Sequence, residues 1–163
     1  MQPIQRFGMD AAIVFSDILT IPDAMGLGLS FVSGEGPKFA RPLTSTSAIK
    51  ALSVPDPNLS LGYVMDALSL IRKTLPGDLP LIGFSGSPWT LAAYMVQGES
   101  KPGFPALMAL KDEDPASLEH LLGVLTESVL VYLQAQCDAG ADCLMLFDTW
   151  GGLCNQVDFE RYS

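Results

Sequence analysis

Apolar and polar positions fall into blocks along this chain. Three short apolar runs, AAIVF (11–15), LPLIGF (79–84) and CLMLF (143–147), each end in a small polar or acidic cluster. Those clusters are Ser16 and Asp17, then Ser85, Gly86 and Ser87, then Asp148 and Thr149. Short continuous apolar runs are expected of strands buried on both faces, as in a parallel sheet. Helical spacing appears between them. Leu61, Val64, Met65, Leu68, Ile71 and Leu75 predict one helix, which Pro76 and Gly77 end. Leu118, Leu121, Leu122, Leu125, Val129, Tyr132 and Leu133 predict a second, stronger one. Asp114 can cap it, Pro115 can take its first position, and Gly140 can supply a left-handed stop. Ser87 can cap a third, with Pro88 in its first turn and an end near Gly98.

Strand, helix, strand, helix, strand is an α/β order with a parallel sheet. Between the first strand and the Leu61 helix lies an insertion. There, residues 29–32, a turn of Ser33, Gly34, Glu35 and Gly36, and residues 37–40 predict a small hairpin. Three parallel strands are too few for a closed (β/α)8 barrel, which takes about 250 residues. The chain is therefore either a small open sheet or a piece of a larger protein. Its first strand has no expected preceding helix, and its end, DFERYS, stops as a helix begins. Both features favour a fragment, read as one incomplete domain over residues 1–163.

Composition narrows the function classes. The 163 residues are 48% hydrophobic and 17% charged, with a formal net charge of −9. That charge argues against a nucleic-acid or anionic-membrane partner. No uninterrupted apolar run nears 18 residues, so no transmembrane helix is expected, and MQPIQRFGMD lacks the layout of a secretory signal. Cys137, Cys143 and Cys154 form no C-x-x-C pair. They fit reduced thiols in a cytoplasmic protein, and with a single histidine, His120, they offer no zinc site and no Ser-His-Asp triad.

In parallel α/β folds a site lies beyond the carboxyl ends of the strands, where Asp17, residues 85–87, Asp148 and Thr149 all fall. A carboxylate at a core's edge is costly unless paired. Asp17 either caps a helix starting at Ile18 or faces a ligand. Ser85 and Ser87 read first as caps, and Asp148 and Thr149 as a turn before Gly151 and Gly152. Tyr94 reads as a core ring whose hydroxyl can reach the site. The stretch 83–86 fits neither the Rossmann nor the Walker spacing. The cysteines read as buried apolar residues, and His120 as a surface helix residue.

Three longer segments carry a resemblance: RFGMDAAIVFSDILTIPDAMGLGLSFVSGEGPKF (6–39), GFSGSPWTLAAYMVQG (83–98) and AGADCLMLFDTWGG (139–152). Together they resemble the uroporphyrinogen decarboxylase family, collinearly through essentially the whole chain. The resemblance implies a (β/α)8 barrel, usually a homodimer, of which this chain would be about strands 2–4 with their helices and a hairpin insertion. It implies cofactor-independent removal of carboxyl groups from the four acetate side chains of uroporphyrinogen, giving coproporphyrinogen and carbon dioxide in haem biosynthesis. Asp17 in FSDIL matches the essential aspartate that hydrogen-bonds the pyrrole N–H groups. Tyr94 in PWTLAAYM matches a tyrosine near a substrate carboxylate. Thr149 in LFDTWGG matches a hydroxyl residue that binds one, and Phe84 and Phe147 match aromatics that pack on the macrocycle. The family's arginine motif, with the proposed proton donor, would lie upstream of residue 1, and a histidine downstream of residue 163. The rival readings are a corrinoid- or zinc-dependent methyltransferase on the same barrel, and a non-catalytic fragment.

Overall fold

The sheet and the helices around it are described from a computed structural model that covers residues 1–32, 34 and 36–163. Helix α1 (Gln2–Phe7) leads into a short strand β1 (Ala12–Ile13). After helix α2 (Thr20–Ala24) come β2 (Leu29–Val32) and β3 (Gly36–Phe39), then α3 (Thr46–Lys50), α4 (Pro57–Ser60) and α5 (Gly62–Thr74). Strand β4 (Leu81–Gly86) precedes α6 (Pro88–Gln97), α7 (Pro105–Glu113) and α8 (Pro115–Asp138). Strand β5 (Cys143–Phe147), a 3-10 turn (Gly151–Leu153) and α9 (Gln156–Tyr162) complete the chain.

Among the described residues, β1, β4 and β5 form a parallel sheet in that order. The α/β reading holds, and strand neighbours follow chain order. The hairpin holds too, one position earlier on its second strand: Leu29 faces Phe39 and Val32 faces Gly36. Ser33 and Glu35 of its expected turn lie outside the described residues.

The local signals produced the helices they predict. The Asp114 carboxylate accepts the Ser117 N–H at 3.2 Å at the start of α8. Ser87 accepts the Thr90 N–H at 3.1 Å, and Gly98 ends α6 with φ 82°. Gly140, at φ 111°, turns the chain out of α8. Leu61, Val64, Leu68, Leu118, Leu121 and Leu125 are buried, as their spacing requires. The expected helix at the carboxyl end is α9, while α1 corrects the expectation that nothing helical precedes β1.

Burial overturns other expectations. In the parallel sheet β4 is buried, while β1 and β5 are largely exposed. The cause is position: β4 has a neighbour on each side and α8 across it, whereas β1 and β5 are edges. Strand β4 also runs two residues further than expected, so Ser85 and Gly86 belong to a strand rather than a loop or cap. Cys137 and Cys143 are exposed and Cys154 is half-buried, on the outer face of α8, on edge strand β5 and after the 3-10 turn respectively, so the cysteines are not core residues. Burial pushes the Cys154 thiol above its ordinary value, with Asp158 and Asp148 adding to the shift. His120 is exposed on α8. Although no apolar run is unbroken, α8 as a whole is long and apolar enough to cross a membrane. In this fold its apolar stripe packs on β4, α6 and α3 as a core helix does.

Candidate functional site

Where β1, β4 and β5 end, their exits surround a cavity of about 430 Å³. Phe15, Asp17 and Ile18 line it from one side, Phe84 from the floor, and Phe147 and Thr149 from the other side. Four of the five residues singled out from sequence therefore share one space. Tyr94 is not among those lining it. Its ring packs edge-on against Phe104 and Trp150, with centroids 5.4 and 6.2 Å away, so it touches the site through the residue after Thr149. A larger space of about 620 Å³ lies between α5 and α8, bordered by Met65, Ser69 and Gln134. It holds none of these residues.

Asp17 is half-buried, and its Oδ1 accepts the Leu19 N–H at 2.8 Å. The helix it precedes begins at Thr20 rather than Ile18. Asp17 is therefore not that helix's cap, which is Leu19 with no side-chain cap bond: a local turn holds one of its oxygens, and a carboxylate has about four acceptor positions in all. A second space of about 270 Å³ reaches Asp17 from behind, between Tyr63, Phe31 and Asp23. There partial burial raises the Tyr63 phenol above its ordinary value, with Tyr132, Asp23 and Asp17 adding to the rise.

Phe84 and Phe147, on adjacent strands, meet edge to face with centroids 5.4 Å apart at 81°. They make a stiff aromatic pair at the floor and one side of the cavity. Phe15, expected in the core, is 93% exposed and forms a wall.

Asp148 does more than make a turn. Its Oδ1 accepts from Ser87 Oγ at 2.5 Å and Thr90 Oγ1 at 3.1 Å, and its Oδ2 accepts from Ser163 Oγ. Thr90 Oγ1 in turn accepts the Trp150 N–H at 3.1 Å, and Trp89 Nε1–H donates to the Trp150 carbonyl at 3.0 Å. The first turn of α6 therefore grips the Asp148 side chain and the Trp150 backbone, one on each side of Thr149. A side chain at Gly151 would place Cβ 2.2 Å from Asp148 Oδ2, which explains the glycine there. The clue in the sequence was the pair of hydroxyls in SPWT; nothing local linked it to residue 148.

No lysine or arginine is among the residues lining the cavity. Among the described residues no group of three or more His, Cys, Asp or Glu is placed to hold a metal ion.

Comparison with known proteins follows the same lines. The family model described as Uroporphyrinogen decarboxylase (URO-D) matches residues 1–163. The chain is 58% identical to the uroporphyrinogen decarboxylase of Thioalkalivibrio sulfidiphilus, over 100% of its length and 46% of that protein's. It is 59% identical to that of Idiomarina loihiensis and 55% identical to that of Edwardsiella ictaluri, with the same coverage of 100% and 46%. The chain thus spans about half the length of the curated relatives it matches. A methyltransferase from Methanosarcina mazei shares the fold, with a TM-score of 0.77 at 21% identity, over 98% of this chain and 47% of that one.

Proposed function

Because the chain belongs to the uroporphyrinogen decarboxylase family, we propose that it forms about the second to fourth strands of a (β/α)8 barrel that decarboxylates the acetate side chains of uroporphyrinogen. The sheet supports the barrel: parallel neighbours follow chain order, and edge strand β5 leaves Leu144, Met145 and Leu146 exposed, as a strand awaiting a neighbour would. The single observation that carries the activity is the shared cavity of Asp17, Phe84, Phe147 and Thr149 at the carboxyl ends of the strands.

In the reaction each acetate loses carbon dioxide and gains a proton, leaving a methyl group. The carbon–carbon bond breaks towards the pyrrole ring, which accepts the electron pair once it has been protonated to a cation. Asp17 sits where its charge can face that cation and its free acceptor positions can take pyrrole N–H groups. Held in its turn by the Leu19 N–H, the carboxylate need not reorganise as charge develops, which is how preorganised groups lower a barrier. Phe84 and Phe147 offer the macrocycle an apolar face, and the Thr149 hydroxyl offers a donor to a substrate carboxylate. Tyr94, packed on Trp150 beside Thr149, offers its hydroxyl to a substrate carboxylate. The basic groups that a substrate with many carboxylates requires are those the family resemblance assigns upstream of residue 1; dimerisation and a cytoplasmic location belong to the same reading.

Asp17→Asn in the full-length enzyme tests it. The amide keeps the shape and loses the charge, so kcat should fall by about 10²–10³-fold. Wild-type turnover in that variant would overturn the proposal.

A further inference from the structure

We propose that Gln136 is a positioning residue: its side-chain amide replaces β1 alongside Phe84, so the chain leaves the sheet after Val14 and carries residues 15–17 out to the cavity. The inference rests on the decarboxylase reading of that cavity.

Strand β1 pairs with β4 at Ala12–Leu81 and Ile13–Ile82. Ala12 N–H donates to the Pro80 carbonyl at 2.9 Å and Val14 N–H to the Ile82 carbonyl at 3.1 Å. A parallel ladder continues by alternation. Its next two bonds would run from the Phe84 N–H to the Val14 carbonyl and from the Ser16 N–H to the Phe84 carbonyl. Neither forms. Instead Gln136 Oε1 accepts the Phe84 N–H at 2.9 Å, and Gln136 Nε2 donates to the Phe84 carbonyl at 2.8 Å. The amide satisfies both groups that would have extended the strand.

The surroundings are cut to admit it. Gln136 is fully buried in a stripe of α8 otherwise rich in leucine. Gly83 faces it, and a Cβ there would lie 2.6 Å from Gln136 Oε1. Burying an amide is costly unless it is bonded, and here both ends are. Freed from the ladder, Phe15 turns outward and Asp17 reaches the cavity that Phe84 floors. A leucine at 136 would leave the Phe84 N–H and carbonyl buried and unpaired. By the ladder's register their partners would be the Val14 carbonyl and the Ser16 N–H, so β1 would extend and draw Asp17 toward β4.

Kinetics and crystal structures of full-length Gln136→Leu and Gln136→Glu test this, with Asp17→Asn as the reference variant. Gln136→Leu should lower kcat/KM by about 10²-fold, the cost of misplacing a reacting group by about 1 Å, and its structure should show the Ser16 N–H on the Phe84 carbonyl. The ionised glutamate accepts the Phe84 N–H but cannot donate to the carbonyl; the protonated acid does both. The ratio of Gln136→Glu to wild-type activity should therefore rise as pH falls, a profile that packing alone does not produce. Wild-type kcat/KM in Gln136→Leu, a β1 that still ends at Ile13 in its structure, or a pH-independent ratio for Gln136→Glu would overturn the proposal. If Gln136→Leu does not fold, the glutamate profile decides. If wild-type enzyme lacks decarboxylase activity, the functional reading fails while the strand register in the variant still decides the role of Gln136.

Discussion

The two ends of the sheet use their charged groups in opposite ways. At the amino-terminal end Arg72 donates to the Leu79 carbonyl at 3.0 Å, the Pro76 carbonyl at 2.8 Å and Asp142 at 2.7 Å. Asp142 also accepts the Leu81 N–H at 2.8 Å, so this cluster ties the end of α5, the start of β4 and the entry to β5 together. The bonds close on one another. At the carboxyl-terminal end Asp17 spends one oxygen on a turn and faces a cavity, and the bonds of Asp148 serve to hold the loop around Thr149. One end consumes its polar capacity internally and fastens the fold; the other keeps part of it available to a ligand.

After the loss expected at Asp17, the largest effect should come from Asp148→Ala. It strips the acceptor from the hydroxyls of Ser87 and Thr90 and loosens Thr149. We expect kcat/KM of the full-length enzyme to fall about 10²-fold, with about 1–3 kcal/mol of stability lost in denaturant unfolding. Asp148→Asn keeps a carbonyl acceptor and should recover most of both. Equal damage in the two variants would mean that charge, not the hydroxyl clamp, matters at this end.

A smaller effect is expected at the opposite end. Arg72→Met should cost about 1–2 kcal/mol in the same unfolding experiment while leaving kcat/KM unchanged. An activity loss matching that of Asp148→Ala would break the division between the two ends.

Acid should produce the smallest change. The Leu81 N–H, and then Arg72, hold the Asp142 carboxyl below its ordinary value. The hydroxyls of Ser117 and Thr46 do the same for Asp114. A depressed carboxyl lends stability that is present above its unfolded pKa, near 3.9, and is lost as pH falls through the lower folded value. Melting temperatures should therefore fall from about pH 4 downward, and less steeply in Asp142→Asn than in wild type. Identical slopes would remove Asp142 from the acid response.

What could be read in advance was local. Asp114, Ser87, Gly98 and Gly140 announced helix ends because a cap needs only residues within a few positions. The leucine stripes of α5 and α8 announced buried faces because helical spacing is fixed. Asp17 drew notice as a carboxylate beside an apolar run, and the segment resemblance supplied its company of Phe84, Phe147 and Thr149. The grip on Asp148 and the part played by Gln136 were not legible. Each joins residues 52 to 61 positions apart, and no periodicity encodes such a meeting.

The amino-acid sequence by itself determined the α/β order, the main helices with their caps, and the family to which the chain belongs, since these follow from short-range propensity and from residues kept in order. Tertiary structure alone decided which strand is central, where β1 stops, and that the Tyr94 ring packs on Phe104 and Trp150. Burial and hydrogen-bond pairing are properties of neighbours, and neighbours exist only once the chain has packed. That is why Phe15, indistinguishable in sequence from a core residue, ends on the wall of the site.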